Sequence, residues 1–244
     1  MQLRLLTYNI HKCVGGLDRR CDPSRVAEAI ARFRPDVALL QEVEDLEGGG
    51  GHHEPQIDIL SDRLGFRYRH FAPHTRRWDG RRYGNAILSR HPILDAGLID
   101  LTISLKKRRS ALHAKLRVRS PAGRSRTLHI YNLHLGLSGI ERRLQLKRFL
   151  ESRPLSRLHA RAPVVLGGDF NDLWGSLGRR ILSKEGFRSH GGRLSTFPAF
   201  APLGALDAFY WRGDVDLSRL ERGWTPSIRR ASDHLPLIAD VRLA

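Results

Sequence analysis

The chain has 244 residues, 41% of them hydrophobic and 27% charged, with a formal net charge of +17. That composition suits an ordinary globular core, and no apolar run approaches the roughly 18 residues a membrane helix requires. Only Cys13 and Cys21 are present, too few for a disulfide scaffold and without the companions of a zinc site, so both are read as free thiols in a reducing cytoplasm.

Met1 to Leu6 is too short and too mixed for a signal peptide and reads as the start of a strand, Leu3 to Ile10. Asp22-Pro23 gives an N-cap with proline at the first helical position. Val26, Ile30 and Phe33 follow at helical spacing, and Pro35 ends that run. A buried strand is expected from Asp36 to Val43. Glu44 to Pro55, with four consecutive glycines and the pair His52-His53 before Glu54, reads as a solvated surface loop. Ile57, Leu60 and Leu64 mark a second helix, stopped by Gly65. Strands follow at Asn85–Ser89, at Leu112–Val118 with His113, Lys115 and Arg117 on the opposite face, and at Leu128–Leu133. Ser138 and Glu141 have capping-box spacing at the head of a helix reaching Leu150. Val164–Gly167 is a further strand. A fourth helix opens at Ser176, carries Leu177, Ile181 and Leu182, and gives way at Gly186. Leu237, Ala239, Val241 and Leu243 alternate as in a one-faced strand. Interleaved strands and helices with no internal repeat and no linker predict one layered α/β domain over residues 1–244.

Chemistry-bearing residues recur at the ends of these strands. Gly167-Gly168-Asp169-Phe170-Asn171 follows an apolar strand, and residues two apart in an extended chain share a side. Asp169 and Asn171 can therefore face one cleft, where a carboxylate orients water or binds a hard cation; the same residues also suit an Asx turn. In Ser232-Asp233-His234 an imidazole able to donate to a phosphoryl oxygen stands beside a carboxylate. Glu42 closes a buried run, which is costly for an acid unless it is paired or bound to a cation, and oxygen donors suit Mg²⁺ or Mn²⁺. Thr7-Tyr8-Asn9-Ile10-His11 and Asn132-Leu133-His134-Leu135 close two more strands.

Together with Tyr83-Gly84-Asn85-Ala86-Ile87-Leu88-Ser89, Leu206-Asp207 and Asp172, these segments, in this order and over nearly the whole chain, resemble the endonuclease/exonuclease/phosphatase superfamily of DNase I-like nucleases and inositol-phosphate phosphatases. The length and Gly15-Gly16-Leu17-Asp18 look most like its small bacterial members, some associated with cardiolipin synthesis. The resemblance implies a four-layer sandwich of two central, mostly antiparallel sheets between helices. It implies a metal-dependent phosphoric ester hydrolase with Mg²⁺, or Mn²⁺, held by Glu42 and Asn9 and supported by Asp233. Asp169 and Asn171 would activate water. His134 and His234 would contact the phosphate, and Asp207 would fix the tautomer of His234. Asn85 and Arg109 are further candidates, for packing near the site and for phosphate contact, and Trp174, which closely follows Asp169-Phe170-Asn171-Asp172, is a candidate for phosphate binding at the cleft mouth.

The positive charge favours polyanionic partners, although nearly all of the 42 basic residues are arginine, a bias that genome composition also produces. Nucleic acid is the first expected substrate, because Arg76-Arg77, Arg81-Arg82 and Arg229-Arg230 can follow a phosphate backbone and Trp78 and Tyr83 can stack. An anionic lipid headgroup or a small phosphate ester is the alternative, and a catalytically silent polyanion-binding module is the reading from another class. A monomer is expected.

Overall fold

The structure is a computed structural model that describes residues 1–46, 55–104, 106–120, 122–190, 192 and 194–244. The strands are β1 (Gln2–Asn9), β2 (Val37–Leu46), β3 (Tyr68–Arg76), β4 (Arg81–Ser89), β5 (Ile93–Asp100), β6 (Ser110–Arg119), β7 (Ser125–His134), β8 (Val164–Asp169), β9 (Arg188–Ser189), β10 (Asp207–Arg212), β11 (Val215–Arg222) and β12 (Leu237–Leu243). The helices are α1 (Pro23–Ala31), α2 (Gln56–Leu64), α3 (Gly139–Glu151), α4 (Arg153–Ser156) and α5 (Ser176–Leu182). The expected pair His52-His53 and Glu54 lie outside the described residues.

Two six-stranded sheets result, ordered β11-β12-β1-β2-β4-β3 and β5-β6-β7-β8-β10-β9. Each has one parallel pair at its centre, β1 with β2 and β7 with β8, and is otherwise antiparallel. Parallel neighbours need a crossover, which α1 provides in the first sheet and α3 with α4 in the second. Three apolar layers bind the sandwich. Leu5, Leu39 and Ile87 meet Leu112, Ile130 and Val165 between the sheets. Leu6, Tyr8 and Leu40 pack on Val26, Ile30 and Leu60 of α1 and α2. Tyr131, Leu133 and Leu166 pack on Leu146, Phe149 and Leu182 of α3 and α5. The architecture is the expected four-layer sandwich.

Local chemistry sets the helix ends. Asp22 accepts from the Ser24 amide and Ser138 from the Glu141 amide. The capping box is half made, because the Glu141 carboxylate accepts from Gln145 instead. Gly65 ends α2 in the left-handed conformation, φ 66°. Gly168 is required for a different reason: a Cβ there would stand 2.0 Å from the Leu133 carbonyl oxygen.

A buried amide network joins the sheets. Gln41 Nε2 donates to Asn132 Oδ1 at 2.7 Å and to Thr7 Oγ1 at 3.0 Å. Asn132 Nδ2 donates across to the carbonyls of Leu40 (2.8 Å) and Ala86 (2.9 Å). The register of β2 on β4 slips between Leu40 and Val43, a bulge that sets Gln41 and Glu42 against one residue, Asn85. Glu42 takes φ 54° there, and a bulge re-aims its side chains.

On the outer face of the second sheet, His113 stacks on Tyr131 (ring centroids 4.6 Å) and its Nε2 lies 3.2 Å from His129 Nδ1. Burial, then the charges of His129 and Lys115, push the His113 imidazole down to about 4, against Asp95. A depressed imidazole contributes stability that is present above its unfolded pKa near 6.5 and lost as pH falls toward the folded value. His113→Phe keeps the stacking and removes the titration. Its loss of unfolding free energy between pH 7 and pH 4.5, followed by urea denaturation, should be about 2 kcal/mol smaller than that of the parent chain.

Candidate active site

Four central strands run to one end of the sandwich, and side chains from that end of each meet there. Asn9 ends β1, Glu42 sits in the bulge of β2, His134 ends β7 and Asp169 ends β8. Asp207 opens β10 opposite Asp169 in register, and His234 lies in the segment before β12. The link between the sheets is direct: Asn9 Nδ2 donates to Asp169 Oδ2 at 3.1 Å.

Asp169 is the hub. Its Oδ1 accepts from the Asn171 amide at 2.9 Å, so the Asx turn foreseen as an alternative is present and fixes the carboxylate. Its Oδ2 faces the ring nitrogens His134 Nε2 at 3.7 Å and His234 Nε2 at 3.8 Å. Burial pushes the Asp169 carboxyl above the usual range; His234 and His134 oppose that, and Asp207 adds to it.

The two histidines have opposite fates. Burial lowers both, but His234 Nδ1 sits 2.9 Å from Asp207 Oδ2, and the charges of Asp207 and Asp169 carry its pKa up to about 10. Asp207 is itself held by Thr196 Oγ1 at 2.5 Å. His134 is pushed down to about 3 by burial and then by Arg109, against Asp169 and Glu42. Arg109 Nη1 lies 3.4 Å from His134 Nδ1. A guanidinium only donates, so that nitrogen accepts and the proton of the neutral ring is on Nε2. The site thus aims two Nε2–H donors, one cationic and one neutral, at Asp169.

Glu42 pairs with Lys12, whose Nζ is 2.5 Å from Oε2. Burial raises the Glu42 carboxyl, but His134, Lys12 and His11 outweigh it and bring it to about 2. Lys12 is delivered by a strained loop: His11, Lys12 and Cys13 take φ 46°, 58° and 58°, a region uncommon for side chains other than glycine. Gln56 Nε2, at the head of α2, clamps the Lys12 carbonyl at 2.8 Å. Cys13 is buried and Cys21 exposed, and both are free thiols.

Other expected residues are placed less centrally. Asn171 does not simply point beside Asp169; it takes φ 50°, and its Nδ2 donates to the Leu135 carbonyl at 2.8 Å. Asp233 lies 3.8 Å from His11 Nδ1, next to Ser232, whose hydroxyl donates to the Asn9 carbonyl. Asn85 is fully buried; its Nδ2 donates to the carbonyls of Ser110 and Asn132, and its Oδ1 is buried without a partner. Trp174 stands at the rim, 74% exposed. Sequence reasoning missed Lys12, Thr196 and His74. His74 has both ring nitrogens buried and unpartnered, 6.5 Å from the His134 ring between centroids.

The family described as Endonuclease/Exonuclease/phosphatase family matches residues 6–234. The Escherichia coli (strain K12) protein YbhP is 28% identical over 98% of this chain and 96% of its own length. An endonuclease/exonuclease/phosphatase structure from Beutenbergia cavernae DSM 12333 superposes with a TM-score of 0.79 at 24% identity, covering 100% of this chain and 72% of that one. ANGEL2, a 2',3'-cyclic phosphatase, superposes with a TM-score of 0.72 at 16% identity over 99% of this chain and 95% of its own.

The Asp207–His234 pair is open to a direct test. A raised histidine contributes stability that is full below its unfolded pKa near 6.5 and is lost as pH rises through about 10. Asp207→Asn should bring the His234 ring-proton titration in NMR down from about 10 toward the ordinary range. Its stability deficit against the parent chain should be largest below pH 6.5 and shrink above pH 10.

Proposed function

This chain belongs to the endonuclease/exonuclease/phosphatase family, a family of phosphoesterases, and from that premise we propose that it hydrolyses phosphodiester bonds by in-line attack of water, with Mg²⁺ or Mn²⁺ as cofactor. The observation that carries the reading is the convergence of Asn9, His134 and His234 on one oxygen of Asp169.

The roles follow from the donors. Asp169, held by Asn9 and the Asn171 amide, orients the attacking water and takes its proton; a carboxyl raised by burial is the better base. The His234 imidazolium, fixed by Asp207, donates from Nε2 to a non-bridging oxygen and offsets charge that grows in the transition state. His134, held by Arg109 as the neutral Nε2–H form, donates to the phosphate or the leaving oxygen. The distances of 3.7 and 3.8 Å from these nitrogens to Asp169 exceed a direct hydrogen bond and suit an intervening oxygen.

The donors fit a hard cation of low protein coordination. Glu42 is kept anionic and already faces a cation, Lys12, and the Asn9 amide oxygen, at the end of β1, accepts from the His11 amide at 3.1 Å and keeps a second lone pair. No group of three or more His, Cys, Asp or Glu side chains with metal-holding geometry occurs among the described residues. A carboxylate and an amide oxygen are the hard donors that Mg²⁺ accepts beside water. Glu42 with Asn9 would hold it, and Asp233 would act through its water shell. When bound, the cation supplies neutralisation of the phosphoryl and leaving oxygens.

For the substrate, the arginines of the β3–β4 hairpin support a nucleic-acid backbone, although Arg77 and Arg81 share Asp79 at 3.2 and 3.6 Å. A phospholipid phosphodiester is the second reading, favoured by aliphatic side chains exposed around the site, such as Ile140 and Leu203.

Asp169→Ala and His234→Ala should each lower turnover of bis(p-nitrophenyl) phosphate on the order of 10³-fold with an unchanged circular dichroism spectrum, and EDTA should abolish turnover by the parent chain. Near-parental activity of Asp169→Ala would remove the mechanism, and failure of every phosphodiester to turn over in Mg²⁺ or Mn²⁺ would leave a silent binding module. Lys12→Met removes the cation that competes for Glu42. Calorimetric titration of the substrate-free variant should therefore show Mg²⁺ binding several-fold tighter than in the parent chain, roughly the effect of one neighbouring charge.

A further inference from the structure

We infer that the face carrying the site is a docking surface for an anionic lipid bilayer, so that the cleft opens onto phosphodiester headgroups; the inference rests on the phosphodiesterase reading for its chemistry, but its geometry stands apart. Among the described residues, the large hydrophobic side chains more than half exposed are Leu17 (59%), Trp78 (93%), Leu137 (72%), Ile140 (78%), Trp174 (74%) and Leu203 (86%). Single exposed apolar residues are normal, scattered over a surface. These are not scattered. Leu17 follows β1, Trp78 caps the β3–β4 hairpin, Leu137 and Ile140 lie between β7 and the first turn of α3, Trp174 follows β8, and Leu203 precedes β10. All five segments lie at the end of the sandwich where Asn9, His134, Asp169 and Asp207 meet.

The same segments carry cations. In sequence, Arg19 lies near Leu17, Arg143 beyond Ile140 and Arg180 beyond Trp174, all exposed. Acids there are already answered, Asp18 by Arg25 at 2.6 Å and Asp79 by Arg77 at 3.2 Å. Beside the site, a groove of about 690 Å³ has Ile140, Trp174, Leu177 and Ile181 among its lining, with Arg143 and Arg180. Exposed apolar tips interspersed with arginines match the boundary between acyl chains and anionic headgroups.

For the apolar tips themselves, nucleic acid is the weaker partner. Four of the six tips are leucine or isoleucine, which neither stack on bases nor hydrogen-bond, whereas single strands are gripped by aromatic platforms. Their spread over five segments around a cleft suits a broad, deformable plane better than one compact partner.

The test is flotation of the full chain with vesicles of phosphatidylcholine alone or with a minority of phosphatidylglycerol, at low and high salt. The parent chain should float with the anionic vesicles, less so at high salt, and not with phosphatidylcholine alone. The triple variant Leu17→Ser, Ile140→Ser, Leu203→Ser should bind anionic vesicles on the order of tenfold more weakly. Its thermal unfolding midpoint and its turnover of bis(p-nitrophenyl) phosphate should match the parent. Absence of flotation, parental vesicle binding by the triple variant, or an equal loss of duplex DNA binding in that variant would each overturn the docking surface. If vesicles bind as expected and no phosphodiester is turned over, the surface stands and the catalytic reading is the part that falls.

Discussion

The site depends on one cross-layer contact, the Asn132 side chain of β7 bound to the edge of the β2 bulge. Two sheets packed through aliphatic side chains can slide by fractions of an ångström at little cost, because that packing has no direction. The Asn132 amide removes the freedom. It donates to the carbonyls of Leu40 and Ala86 and accepts from Gln41, each atom fully buried where an unmet polar group is expensive. Three bonds to two strands fix β7 against β2 and β4 in register. Asn9 of the first sheet can then reach Asp169 of the second at 3.1 Å, and the bulge can turn Glu42 out of the ladder toward the cleft. Replacing the network with packed leucine would preserve the layers and lose this alignment.

Burying ionisable groups in such a wall raises a second constraint, since a charge without a partner tends to neutralise by shifting its pKa. The chain answers it with alternation. Asp207 stands beside His234, His234 faces Asp169, Asp169 faces His134, and His134 accepts from Arg109. Each imidazole has its ring nitrogens assigned by neighbours of different kind. The one beside a carboxylate is kept charged, and the one beside a guanidinium is kept neutral. Identical side chains at equal distance from one oxygen thus acquire separate protonation states, a division of labour set by second partners.

Much of this was legible in the sequence where residues close buried strands. Asn9, Glu42, His134 and Asp169 each follow an apolar run and His234 precedes one, and several helix ends carry readable caps. What was not legible depends on partial burial or on improbable backbone. The edge strands β3, β5 and β11 alternate between half-buried and exposed positions, so no clean period marks them, and His74 was lost with β3. The expected end of β2 at Val43 was short because its continuation to Leu46 is set by pairing with Arg81–Gly84, which is remote in sequence. Lys12 reaches Glu42 only because three consecutive residues take positive φ, a conformation that side-chain spacing gives no reason to expect. Asn85 was marked only by resemblance, as packing near the site or contacting phosphate; that it stands opposite the Gln41-Glu42 bulge is set by the register of β4 on β2.

The charge around the cleft bears on what it can hold. Lys12, Arg109 and the His234 imidazolium stand against the carboxylates of Glu42 and Asp207, while burial weakens the charge on Asp169 by raising its pKa. Whether the set balances turns on that one carboxyl. With Asp169 protonated, three cations meet two carboxylates; with it ionised, three meet three. The burial that raises its pKa therefore couples its proton to the charge of whatever enters: an anion arriving beside it adds to the cost of the ionised form, and only the surrounding arginines or an added cation could offset that cost.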